Sequence, residues 1–194
     1  KLTTQDYNCV LEAWARCKGE ASALRTEQIL QVMEQMRSPP PNLDSFKAAL
    51  MAWFELRFSL PHAAVRAQRI LEWMIRSTGD IVPDQDCFDI VLQIWSHNAG
   101  LDAPQRAEQL LGVMESLHRE TGTSCAPRVT SFNAVLTAWF KNSQRPEAPR
   151  RVNEILSFME QLARDDADVA PDATSYRLVM NTYVQHGESA VEMA

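Results

Sequence analysis

A tryptophan that returns at near-constant spacing constrains the fold of this chain more than any other feature. Trp14, Trp53, Trp95 and Trp139 follow one another at intervals of 39, 42 and 44 residues, and Tyr183 takes the same place 44 residues further on. Seven residues before each stands another aromatic: Tyr7, Phe46, Phe88, Phe132 or Tyr176. Between the two lie Val10, Ala49, Val91, Val135 or Val179, followed by Leu11, Leu50, Leu92, Leu136 or Met180. Offsets of 0, +3, +4 and +7 fall on one face of an α-helix. The same helix therefore occurs five times, and self-similarity at this period marks a solenoid.

A second helix follows each of the first four. Its marker is Met33, Met74, Met114 or Met159, preceded at three and four residues by two aliphatics, such as Ile29 and Leu30 or Ile155 and Leu156. A Met stripe at this spacing reads as core packing before it reads as an adaptable binding groove. Arg25, Arg66, Arg106 and Arg151 recur eight residues before the Met and read as a solvated or ion-paired face. Pro41, Pro83, Pro127 and Pro171 punctuate the units, because proline cannot continue the preceding helix. Helix starts are expected just after them, with caps at Asp44, Asp84, Thr130 and Asp172, and a weak capping box from Thr3 to Asp6. Second helices are expected to begin near Ala21, Pro61, Ala103 and Pro146. The linker from Thr121 to Arg128, the widest, is expected to be the most mobile.

The expected fold is all-α: a right-handed α-solenoid of helix-turn-helix repeats with four full units and a partial fifth. Unit boundaries fall at about 1–42, 43–84, 85–128, 129–172 and 173–194. The chain opens almost inside a helix and stops after an unpaired one, so it reads as an excerpt of a longer protein.

An apolar share of 45% is ordinary for a folded chain, and no apolar run approaches the length that spans a bilayer. Cys9, Cys17, Cys87 and Cys125 form no Cys-x-x-Cys pair, and no Cys/His cluster has zinc spacing, so no metal or cofactor is expected. Reduced thiols are the default reading, which fits an intracellular compartment. The net charge of −6 weighs against a nucleic-acid binder, although a solenoid can segregate charge between faces. No Gly-rich phosphate loop, His-Glu-x-x-His motif or spaced carboxylate pair points to an enzyme, and no catalytic residue is assigned.

The phrases Ser131-Phe-Asn-Ala-Val-Leu-Thr-Ala-Trp139, Ile155-Leu-Ser-Phe-Met-Glu160 and Ala170-Pro-Asp-Ala-Thr-Ser-Tyr176 resemble pentatricopeptide repeats across nearly the whole chain. The units here are longer than the family's usual length, with the extra residues in the loops. The resemblance implies single-stranded RNA binding in a mitochondrion or chloroplast, about one base per repeat, in RNA processing, stability or translation. It implies a two-residue base code as well: the residue after the first-helix aromatic, with the residue after the Pro that closes the unit. The pairs are Asn8 with Asn42, Lys47 with Asp84, Asp89 with Arg128, and Asn133 with Asp172, and Arg177 begins a fifth. Asn133 with Asp172 is similar to the combination associated with uracil, and Asn8 with Asn42 looks pyrimidine-like. The two middle pairs are opposite in charge, so ion pairing within each pair stands beside base reading. Nine residues after the aromatic, where the family often has a basic phosphate contact, stand Arg16, Glu55, His97, Lys141 and Gln185. Of these Arg16, His97 and Lys141 fit that role, and Glu55 does not.

Two partner classes follow. Single-stranded RNA is the first, bound weakly by a chain with so few units; neither DNA nor membrane is expected. The second is a protein partner lying in the concave groove, which would make the chain an interaction scaffold; net acidity with Asp44, Asp86 and Glu55 favours it. A positive concave strip supports RNA and a negative one supports protein.

Overall fold

The computed structural model describes residues 2–36, 39–77, 81–98, 100–122 and 125–192, with side chains as far as residue 187. All regular structure among the described residues is helical. The order is α1 (Thr4–Arg16), α2 (Glu20–Met36), α3 (Leu43–Phe54), α4 (Ala63–Arg76), α5 (Gln85–His97), α6 (Ala103–Thr121), α7 (Val129–Lys141), α8 (Ala148–Leu162) and α9 (Ala173–Glu192), with a 3-10 turn at Ala167–Val169. The odd-numbered helices carry the two-aromatic face, and the even-numbered ones carry the Met. Second helices begin within about two residues of the expected positions. Pro104 sits in the first turn of α6, but Pro61 and Pro146 lie ahead of their helices, and Pro149 takes the first-turn place in α8. Part of the Thr121–Arg128 linker falls outside the described residues. Where it leaves α6, Gly122 adopts φ 64 and donates its N–H to the His118 carbonyl, a left-handed helix stop that costs other residues strain.

The chain divides into two compact units, Lys1–Ile94 and Trp95–Ala194, with α5 spanning the division. In the first unit α1 pairs with α2, α3 lies against both, and α4 closes on α3. In the second unit α6 lies against α7, α7 pairs with α8, and α9 lies against both. Each unit therefore stacks first helix on first helix and lays each second helix across the next first helix.

Burial follows the repeat. Phe46, Trp53, Phe132 and Trp139 are closed off from solvent, as are Met33, Met74, Met114 and Met159, so the Met stripe is core. Within a hairpin, the residue before the Met packs edge-on against the first aromatic: Trp73 on Phe46 at 5.4 Å between centroids, Phe158 on Phe132 at 6.1 Å. Trp14 and Tyr183 differ, at 38% and 46% exposed. Their helices α1 and α9 each meet two helical neighbours in their units, where α3 and α7 meet three.

Inside each compact unit a three-residue clasp fastens a second helix to the hairpin that follows it. The Trp53 indole N–H donates to Glu27 on α2 at 2.7 Å, and Arg66 on α4 pairs with the same carboxylate at 2.8 Å. The second unit repeats this: Trp139 donates to Glu108 on α6 at 2.6 Å, and Arg151 on α8 grips Glu108 with two nitrogens. Burial pushes the Glu27 carboxyl above its usual range, against the pull of Arg66 and the Trp53 N–H. Arg66 and Arg151 are thus ion-paired, whereas Arg25 and Arg106 are exposed.

The helix starts correct two expected caps. Asp44 and Thr130 lie inside the first turns, and the caps are Asn42 and Arg128, the residues directly after the linker prolines. Both are extended, at φ −124 and −115, the conformation typical of a helix N-cap. The Thr3–Asp6 capping box forms as expected.

Glu108→Ala leaves the Trp139 N–H and the Arg151 guanidinium without their shared acceptor. It is expected to cost about 3 kcal/mol in urea unfolding, within the range for breaking a partly buried charged network. Arg106→Ala, at the same register in α6, is expected to leave the urea midpoint unchanged.

Candidate nucleic-acid interface

The residue after three of the linker prolines, Asn42, Asp84 and Asp172, does two jobs. Asn42 caps α3, its Oδ1 accepting the Ser45 N–H at 3.0 Å while its own N–H donates to Ser45 Oγ at 3.1 Å. The same Oδ1 accepts from Asn8 Nδ2 on α1 at 3.0 Å, and Ser45 Oγ donates to Asn8 Oδ1 at 2.6 Å. The second unit rebuilds this closely. Asn133 Nδ2 donates to Asp172 Oδ1 at 3.2 Å, Ser175 Oγ donates to Asn133 Oδ1 at 2.7 Å, and the Ser175 N–H donates to Asp172 Oδ1 at 2.8 Å. Both residue pairs named from sequence are thus brought together, and each is bridged by a serine.

That serine is a candidate-site residue the motif reading missed. Its signal is present in the sequence: Ser45, Cys87, Ser131 and Ser175 each stand directly before the first-helix aromatic. A side chain there is at the third helical position, the one that reaches back to the cap N–H in a capping box.

The second register behaves differently. Lys47 Nζ lies 2.5 Å from Asp84 and 2.9 Å from Asp86, so one ammonium is held by two carboxylates. Burial works against the Lys47 charge, but hydrogen bonds to both Asp residues outweigh it and raise its pKa. Burial likewise acts to raise Asp84, and the bonds from Lys47 and Cys87 overcome it, holding the carboxyl below its usual range. Cys87 takes the serine's place; burial, with Asp84 beside it, pushes its thiol up to about 12. Asp86 therefore joins a pair that the sequence reading limited to Lys47 and Asp84. Asp89 belongs to the first unit and Arg128 to the second, and Arg128 is exposed at the cap of α7.

Exposure separates the two amide-bearing registers. Asn8 is only 2% exposed, whereas Asn133 is half-buried and Asp172 exposed. A carboxamide makes up to four hydrogen bonds. The two bonds at Asn133 leave it one donor and one acceptor, at a position that solvent reaches. For Asp172, burial acts to raise the pKa, but bonds from the Ser175 N–H, Asn133 and the Ser175 hydroxyl prevail and lower it.

The cations sort by unit as well. Arg16 is exposed and sits 3.6 Å from Glu12, one turn away. Lys141 lies two turns from Asn133 on the same face of α7 and has no ion-pair partner among the described residues, and burial pulls its pKa down. Arg177, at the equivalent of Asn133 on α9, is exposed. His97 ends α5, half-buried, with its Nδ1 3.1 Å from Ser96 Oγ. The first-helix face of the second unit thus carries Arg128, Lys141, Arg177 and His97 against Asp172. In the first unit the corresponding positions carry Glu12, Asp44, Glu55, Asp84 and Asp86 against Arg16 and Lys47.

Because the folded Asp172 titrates below its unfolded value, the stability it adds is present above about pH 4 and lost as the pH falls through the folded pKa. Wild type is therefore expected to exceed Asp172→Asn in urea stability at pH 7, and the gap to close in acid below the ordinary carboxylate range.

Compared with protein-family models the chain matches none, and no curated protein matches it.

Proposed function

We propose that the chain is a pentatricopeptide-repeat-like array, a right-handed α-solenoid of four units and a partial fifth, that binds single-stranded RNA in a mitochondrion or chloroplast. Its role is processing, stability or translation of transcripts through selective binding rather than bond-making. The observation that carries this reading is the Asn133–Asp172–Ser175 arrangement. Two hydrogen bonds hold a half-buried carboxamide that keeps one donor and one acceptor, which is the chemistry a pyrimidine edge requires. Its reconstruction at Asn8, Asn42 and Ser45 supports a repeated reading position, although that copy is covered in the free chain.

The cationic face of the second unit supports the same reading. Lys141 lies two turns along α7 from Asn133, where a strand stacked past the base would carry its phosphate. The self-paired Lys47 register contributes no base preference, so selectivity rests chiefly on Asn133 and Asp172.

Fluorescence anisotropy with a labelled U-rich strand tests the proposal. Saturable binding is expected, with U preferred over A. Neutralisation of three phosphates, by Lys141 and by Arg128 and Arg177, whose positions the base code also names, predicts a slope of log K on log salt of about −2. Asn133→Ala is expected to weaken U-rich binding about tenfold, and Asn8→Ala to weaken it less. A strand that fails to bind at low salt, or binds U and A alike with and without Asn133, overturns the reading.

A further inference from the structure

The first unit holds a groove whose chemistry is wrong for RNA and right for something else. It lies between α1 and α3 and encloses about 460 Å³, with Ala48 and Met51 among its lining. The two cations beside it are already engaged, Arg16 by Glu12 and Lys47 by Asp84 and Asp86. Two lining carboxylates, Asp44 and Glu55, are exposed and have no ion-pair partner among the described residues. They stand eleven residues apart, Asp44 in the first turn of α3 and Glu55 at its C-cap with helical dihedrals, a spacing that returns a helix to the same face about 16 Å along its axis. Met51 lies between them on that face, 38% exposed. The pattern is acid, apolar patch, acid, in a line.

We infer that this groove docks an amphipathic basic helix of a protein partner. Lys or Arg at positions i and i+11 of the partner meet Asp44 and Glu55, and small apolar residues between them cover Met51 and Ala48. Any cationic helix has the matching geometry, because i and i+11 share its own face too. A phosphate backbone in the same place would meet two uncompensated carboxylates. The two units then divide the work, with RNA on the second and a basic partner on the first.

The test uses the whole chain and a fluorescein-labelled peptide of about 18 residues, long enough to hold a helix. It bears Lys at i and i+11 and Ala/Leu between; a twin carries Glu at the two Lys positions. Anisotropy is expected to show saturable, salt-weakened binding of the Lys peptide and none of the Glu twin. Asp44→Lys with Glu55→Lys is expected to weaken the Lys peptide at least about tenfold, and Asp44→Asn with Glu55→Gln to give an intermediate loss. Both positions are exposed, and circular dichroism confirms that each variant stays folded. Unchanged peptide affinity in the charge-reversed variant, or equal binding of the Glu twin, overturns the inference. A labelled U-rich strand, titrated alone, is expected to bind Asp44→Ala with Glu55→Ala no more weakly than wild type; a loss there assigns the groove to RNA instead. The peptide arm contains no RNA, so its outcome stands apart from that of the RNA reading.

Discussion

At Asn42, Asp84 and Asp172 the side chain that follows a linker proline both starts a helix and ties back to the preceding first helix. Proline ends the preceding segment, and the residue after it takes the helix-cap position. At Asn42 and Asp172 one oxygen then accepts the N–H of the third helical residue and the carboxamide of an Asn on the preceding first helix. Starting a helix and orienting the carboxamide of the preceding one are thus the same set of bonds. A carboxamide held this way is preorganised, so binding does not have to immobilise it. Where the cap is Asp84 and the preceding residue Lys47, the same scaffold closes into an ion pair.

The fold was largely legible because the aromatic and Met periodicities are long-range repetitions of one local pattern. Phe46 and Phe132 are buried for the same reason, and reading one predicts the other. The caps at Asn42 and Arg128 are not legible from residue type, because Asn42 and Asp44 cap equally well and Thr130 outranks Arg128. The serine bridge was missed for a related reason: Ser45, Ser131 and Ser175 look like ordinary polar residues until the neighbouring helix brings an amide to them. The Glu27 and Glu108 clasps were equally hidden, since nothing local indicates that a carboxylate on one helix will meet a tryptophan about thirty residues on. Residue pairing across units is a tertiary fact, and for Asn8 with Asn42 and Asn133 with Asp172 it was reached through the resemblance, not through spacing.

Overall acidity conceals two different surfaces. The first unit gathers carboxylates on its first-helix face, and the second unit gathers cations on the equivalent one. Long-range attraction acts on these local fields and not on the sum, because salt screens charges beyond about 10 Å. An argument from net charge alone would have assigned one ligand class to the whole chain.

The bond pattern around the prolines also fixes where such an array can be cut and rejoined. A boundary drawn between Asn42 and Leu43, natural from the repeat period, parts a cap from the Ser45 that completes it. A boundary ahead of Pro41 keeps cap, serine and helix together, and leaves Asn8 to accept whatever cap the next module brings. In this architecture the interchangeable part begins at the linker, and a transplanted module carries half of its neighbour's hydrogen-bonded pair with it.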